Sequence, residues 1–303
     1  MRSRSDWLLV PACLWLLGLF VLPLALMALV SVASRGLYGG VEWTFTLGNY
    51  AELLDPLYWR IYGRSLWIAT ATTALCALLG FPLAYVMAAS PPQQQRVWLF
   101  LLLIPFWTNF LVRTYAWMGI LRSDGPLSAM LQTLGVTGAP LDLLYTDSAV
   151  LIGLVYGYLP FMVLPLYVAL ERMDPAWLEA GRDLYASDWA AFRRIVVPSA
   201  KPGFLAGSVL VFIPSLGAYL TPDLLGGARS MMLGNLIQHE FLVIRDWPLG
   251  AAASVVLMAG VLLGALVWRT YDQPSAISPR TEGGESFMSI GPNRSTERGR
   301  AWD

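Results

Sequence analysis

Between two long apolar segments lies a short charged one, Glu179 to Pro198, reading E-A-G-R-D-L-Y-A-S-D-W-A-A-F-R-R-I-V-V-P. Its side chains suit non-covalent docking rather than bond breaking. Trp177, Ala180, Gly181 and Leu184 fall on one face at helical spacing, while Glu179, Arg182 and Asp183 fall on the other. Asp174 can cap this helix, with Pro175 at the first position, where a missing N–H does no harm. After Tyr185 and Ala186, Ser187 can cap a second helix that carries Asp188 in its first turn and Trp189, Phe192 and Ile195 or Val196 on its apolar face. Pro198 closes the pattern. The spacing predicts helix, turn and helix beside a membrane, within reach of another protein.

Catalytic patterns are missing around this island. No G-x-x-x-x-G-K-[ST] loop occurs to cradle nucleotide phosphates, so the chain is not expected to bind ATP itself. Neither H-E-x-x-H nor a Ser/His/Asp set lies in the apolar segments, and we expect no enzyme. The single His239 has no second His or Cys nearby, so no metal is expected. Cys13 and Cys76 sit in apolar runs and read as packing residues.

The elements that must position the island are apolar spans. The 303 residues are 56% hydrophobic and 13% charged with zero formal net charge, which points to a polytopic membrane protein surrounded by lipid and gives no nucleic-acid footprint. Six stretches approach the ~20 residues that cross a hydrocarbon core of ~30 Å: Trp7 to Ala33, Ser65 to Ala89, Val97 to Leu121, Ser148 to Leu170, Pro202 to Thr221 and Gly250 to Trp268. The first outruns the ~7–15 apolar residues of a secretory signal, so an uncleaved span is expected. Arg96, Arg172, Arg182, Arg193, Arg194, Lys201, Arg269 and the terminal arginines make one side richer in positive charge than the side of Arg35, Arg60, Arg64, Arg122, Arg229 and Arg245. The richer side is the expected cytoplasm, with both termini and residues 174–198 on it. We expect a cytoplasmic N-terminus over 1–6, a six-helix membrane domain over 7–272, and a disordered cytoplasmic tail over 273–303. The small-x-x-x-small pairs Gly153/Gly157, Gly203/Gly207 and Gly260/Gly264 predict close helix packing.

The island resembles the E-A-A loop of permease subunits of bacterial ABC importers. The matching residues are Glu179-Ala180-Gly181, Arg182-Asp183-Leu184, Ala186-Ser187 and Ile195-Val196-Val197-Pro198. Gly181 departs from the family's second Ala, and Tyr185 stands where the family has a Gly that allows a left-handed turn, so a local change of the turn is expected. A narrower resemblance, to spermidine/putrescine importer permeases, rests on Ile104-Pro105-Phe106-Trp107-Thr108-Asn109-Phe110-Leu111-Val112-Arg113-Thr114-Tyr115-Ala116-Trp117. It rests also on Pro222-Asp223-Leu224-Leu225-Gly226-Gly227, Gly234-Asn235 and Arg245-Asp246-Trp247-Pro248. The resemblance implies an all-α type I importer permease. Its implied partners are a second permease, two cytoplasmic ATPase subunits that bind the ATP, and a periplasmic binding protein; residues 179–187 would dock the ATPase. Relatives that move other cationic or amino-acid-like solutes share much of the pattern, and a self-sufficient secondary transporter is the rival.

A cationic cargo is served by carboxylates and aromatic faces, and the candidates toward the outer mouth are Asp223, Tyr219, Trp107, Tyr115, Tyr156 and Tyr158. For each ring, interfacial or core packing is the alternative. Asn109 and Arg113 read as structural or interface residues. Along a straight third span Arg113 would lie about 24 Å from the cytoplasmic end, near the outer interface, as a snorkelling anchor or the partner of a loop carboxylate.

Overall fold

Apolar runs in hydrocarbon must satisfy their own backbone groups, so long runs become helices. The computed structural model describes residues 6–136, 139–227 and 230–271. The tail expected to be disordered and the first five residues lie outside them. The helices are α1 (Asp6–Ser31), α2 (Gly48–Glu52), α3 (Pro56–Ala89), α4 (Pro92–Leu103), α5 (Phe110–Leu121), α6 (Pro126–Thr133), α7 (Asp147–Glu171), α8 (Ala176–Asp183), α9 (Asp188–Ala191), α10 (Val197–Leu216), α11 (Leu233–His239) and α12 (Trp247–Tyr271). A two-stranded antiparallel ribbon, β1 (Ser34–Arg35) and β2 (Val41–Glu42), follows α1. The chain divides into two compact units, Met1–Val261 and Leu262–Asp303; of the second the structure describes the last turns of α12.

Five helices are long and apolar enough to cross a membrane, and a sixth crossing exists if the bent pair Pro92–Trp107 and Phe110–Thr133 counts as one. The third span expected as one rod is therefore broken, with a 90° bend. The cause is local. Pro105 sits in a 3-10 turn over Ile104–Trp107, Thr108 is extended, and Asn109 caps a new helix by accepting the Leu111 N–H at 2.8 Å. The second span starts earlier than expected, at Pro56, because the Asp55 carboxylate accepts the Leu57 N–H at 2.8 Å and Pro56 opens the helix.

At the centre α3, α7 and α10 pack together, with Cys76, Ala84, Met162, Leu166 and Val211 fully buried. Lipid is as apolar as leucine, so this contact depends on close fit rather than on escape from water. Glycine supplies the fit where α10 crosses α7. A Cβ on Gly203 would meet the Pro165 carbonyl oxygen at 2.4 Å, and one on Gly207 the Met162 sulfur at 2.7 Å. The pair Gly203/Gly207 thus meets its expectation. Gly153 instead receives Leu225 and Thr221, and the space around Gly260 is open. Cys13 also departs from its expected packing role, being exposed on α1.

Pro198 does not end the second island helix. The helix runs from Asp188 to Leu216 without a break, because a π-helical turn over Phe192–Val196 shifts the hydrogen-bond register. The Val197 N–H reaches back five residues to the Phe192 carbonyl, and the chain continues through Pro198 and Pro202. The fifth span accordingly begins before Pro202 and stops at Leu216, short of the expected Thr221.

Among the described residues, much of the stretch 222–249 is helical. It contains a π-helical turn at Pro222–Gly226, α11, and a second such turn at Glu240–Ile244. Asn235 donates to the Tyr219 carbonyl at 2.7 Å, and a Cβ on Gly234 would meet the Ala218 and Gly217 carbonyls at 2.5 Å. Ser65 Oγ accepts the Leu233 N–H at 2.8 Å, and Asp147 binds both Arg64 at 2.9 Å and Ser230 at 2.6 Å. This hairpin is thereby pinned onto the third turn of α3 and the first turn of α7.

Candidate functional site

The charged island forms the expected pair of helices at the Glu171 end of α7. Asp174 accepts the Ala176 N–H at 2.9 Å, and Ser187 accepts the Ala190 N–H at 3.3 Å. Between the helices Tyr185 adopts φ 56°, so the left-handed turn is kept and the expected local change does not occur. The Tyr185 N–H donates to the Arg182 carbonyl and the Ala186 N–H to the Gly181 carbonyl, the paired bonds that close a helix on a left-handed residue. They hold a bulky residue in a conformation that costs an L-residue about 1–2 kcal/mol. Tyr185→Gly is therefore expected to raise the melting temperature of the purified protein by about 2 °C, readable by thermal unfolding. No rise would mean that the greater freedom of glycine in the unfolded chain offsets the strain relieved.

One side of the pair is anchored and the other is bare. Val196 is buried, Leu178 packs on the central cluster, and Phe192 meets Phe81 and Tyr85 edge-on at 5.8 and 5.9 Å. Gly181 gives Ile195 room, since a Cβ there would stand 3.0 Å from Ile195 Cδ1. Trp177, Leu184, Tyr185 and Trp189 are exposed, Tyr185 to 98%. The apolar face of the pair is thus largely turned outward, beside exposed Glu179, Ala180, Arg182, Asp183 and Asp188. An exposed apolar patch rimmed by charge has the composition of protein-docking surfaces.

The six residues considered for an outer mouth do not gather into one site. Asp223 and Tyr219 are exposed one turn apart, the Asp223 N–H donating to the Tyr219 carbonyl at 3.0 Å. Trp107 and Tyr115 project from the broken span. Tyr158 donates to the Pro214 carbonyl at 3.3 Å and leans on Phe161. Tyr156 alone meets Arg113.

Arg113 corrects its expected place and partner. Its guanidinium lies over the rings of Phe106, Phe110 and Tyr156 at 5.8, 5.2 and 5.5 Å, and Nη1 donates to the Pro105 carbonyl at 3.1 Å. Tyr156 stands nine residues into α7, about 14 Å from its start, so Arg113 lies near mid-bundle rather than at an interface. The 90° bend invalidates the straight-helix distance. A cavity of about 250 Å³ adjoins it, walled by Phe106, Arg113 and Tyr156 on the cage side and by Leu83, Met87 and Trp98 among others beyond. The cage rings at Phe106 and Phe110 escaped the sequence reading, although both lie in the motif around Arg113.

Glu240 was also missed. It is buried, its Oε2 has no hydrogen-bond partner among the described residues, and it opens the turn that leads to Asp246. Burial first, then the Asp246 and Glu52 carboxylates, raise its pKa from 4.5 to about 7, while Arg35 pulls it down. A raised folded pKa means that its stabilising contribution is whole below about 4.5 and is lost as pH rises through about 7. Glu240→Gln is expected to flatten the fall in melting temperature between pH 5 and pH 8. Parallel profiles for variant and parent would rule Glu240 out as the titrating group.

A bundle of long apolar helices with a helical hairpin folded onto one end and an exposed, charged helix pair at the other is a polytopic membrane protein. The family model described as "Binding-protein-dependent transport system inner membrane component" matches residues 80–273, and the chain belongs to that family. It is a transport family of the inner membrane. The chain is 44% identical to the spermidine/putrescine transport system permease protein PotB of Escherichia coli K12, over 84% of this chain and 93% of that one. Against the protein of the same name from Haemophilus influenzae it is 39% identical, over 88% and 93%. Among solved structures, a bacterial ABC transporter for import of the acidic polysaccharide alginate aligns with TM-score 0.61 at 19% identity, over 90% of this chain and 99% of that one. The alginate transporter in complex with its pentasaccharide-bound periplasmic protein gives 0.65 at 16%, over 89% and 96%. The resemblances drawn from the E-A-A loop and the third-span motif hold, and the fold is that of ABC importer permeases.

Proposed function

We propose that this chain is a permease subunit of an ATP-driven importer for polyamine-like cations, which a periplasmic binding protein delivers. It works beside a second, similar permease and two cytoplasmic ATPase subunits, which supply all nucleotide binding. Both termini and the docking pair are cytoplasmic. The observation that carries the reading is the unbroken helix from exposed Trp189 to Leu216, since docking at one end moves a membrane span directly. Residues 179–187 meet the ATPase, and closure of the ATPases rocks the span to alternate access. The identity to relatives named for spermidine and putrescine supports the cargo.

Reconstitution of the four-part importer in proteoliposomes tests this. Spermidine uptake should need the ATPase, ATP and the binding protein together; uptake driven by an ion gradient without the ATPase overturns it. Within the same assay Asp223→Asn is expected to lower uptake while the ATPase still copurifies. Undiminished uptake removes Asp223 from the path.

A further inference from the structure

A guanidinium near mid-bundle normally finds a carboxylate, because an unpaired charge there is costly. Arg113 has instead one carbonyl and three ring faces, with no carboxylate contact among the described residues. Three aromatic faces around one positive charge are also the means by which proteins hold alkylammonium groups. The cage is thus a cation site already filled by a side chain of its own protein. Beside it lies an apolar cavity of about 250 Å³, suited to an aliphatic chain carrying such a group.

The cage can open. Phe106 belongs to the 3-10 turn before the break, Phe110 and Arg113 to α5 after it, and Tyr156 to α7. A change in the 90° angle at Thr108 and Asn109 moves Arg113 and Phe110 together against Phe106, which parts the rings around the guanidinium. We propose that Phe106, Phe110 and Tyr156 form the station where the transport path takes the primary-ammonium end of its cargo, and that Arg113 fills the station as a tethered stand-in between turnovers. Arg113 then acts as a plug that only a competing cation, arriving when the span changes angle, displaces. This inference rests on the organic-cation reading of the cargo.

The test uses the complete importer in proteoliposomes, with spermidine as probe. In Arg113→Met the plug charge is lost while an unbranched apolar stem is kept, ending short of the cage. Leak of preloaded spermidine without ATP is expected to rise about tenfold, and uptake per ATP hydrolysed to fall by a similar factor, as suits loss of one cation–ring site. Arg113→Lys should restore both toward the parent. A purely structural role would lower hydrolysis and uptake together and leave the leak unchanged, and that result overturns the proposal. Tyr156→Leu, with Arg113 retained, provides an arm that does not depend on the folding of the Arg113 variant. It should cut the maximal uptake rate about tenfold at saturating loaded binding protein while ATP hydrolysis stays near parent level. Unchanged uptake in Tyr156→Leu also overturns the proposal. If the parent complex imports no organic cation, the cargo reading falls with it; if the parent imports and the variants match it, only the station falls.

Discussion

Trp189→Asp is expected to reduce the ATPase recovered with the permease in a pull-down from solubilised membranes by at least about thirtyfold, as loss of a central aromatic anchor worth ~2–4 kcal/mol implies. Trp189 is 70% exposed, yet its ring is held in place, stacked on Phe192 at 5.6 Å with an 18° interplanar angle. Phe192 is fixed in turn by Phe81 and Tyr85. The exposed ring therefore loses little freedom on docking, and more of its burial is available for affinity. An aspartate there removes the ring and adds a second negative charge beside Asp188. Trp189 is 70% exposed and meets the anchored side through the Phe192 ring, so insertion should be near that of the parent and the melting temperature should fall only slightly. Recovery of the Trp189 variant at parent level would place docking on another surface.

Gly203→Ala has the largest expected effect on folding. The added methyl would stand 2.4 Å from the Pro165 carbonyl oxygen, 2.8 Å from Ala169 Cβ and 2.9 Å from Leu166 Cα. Two of these three atoms are backbone and cannot rotate away, so α10 must lift from α7 along a crossing that also uses Gly207. Overpacking costs about 1–3 kcal/mol, and a backbone-to-backbone crossing belongs at the upper end. The melting temperature should fall by roughly 5–10 °C, with less folded permease recovered from membranes. Gly63→Ala, which points into open space on α3, is the matched control and should not fall. A Gly203 variant as stable as that control would show that the two helices are free to separate.

What could be read from the chain was what neighbouring residues decide among themselves. The caps at Asp174 and Ser187 need only a side chain and an amide two or three residues on, and both formed as expected. Apolar length located most spans for a similar reason. The broken third span was not legible by length, since hydropathy is blind to the extended Thr108 and to the cap at Asn109, although Pro105 and Asn109 stood in view. Pro198 misled in the opposite sense, because a π-helical turn absorbed it. Arg113 escaped for a physical reason: one of its three rings comes from α7, more than forty positions away, and no local pattern reports such a meeting. Glu240 drew no notice in the sequence because folding alone brings Glu52 and Asp246 near it and buries it. Tyr185 was singled out as a departure from the family pattern, and its left-handed φ shows that the backbone demand outlasted the loss of glycine.

The unbroken helix from Asp188 to Leu216 has one further consequence, in leverage. Its 29 residues make an arm about 44 Å long at 1.5 Å per residue. A pivot where Gly203 crosses Pro165 divides the arm into about 15 residues on the docking side and about 13 beyond, or ~22 and ~20 Å. The two strokes are then nearly equal and opposite. A swing of about 10° carries each tip roughly 3–4 Å, the scale of a side chain's width. The π-helical turn lies on the docking side of that pivot, so whatever give it has is spent before the motion reaches the membrane. Stiffening or loosening Phe192–Val196 would therefore change how much of the stroke arrives at Leu216 without altering either end.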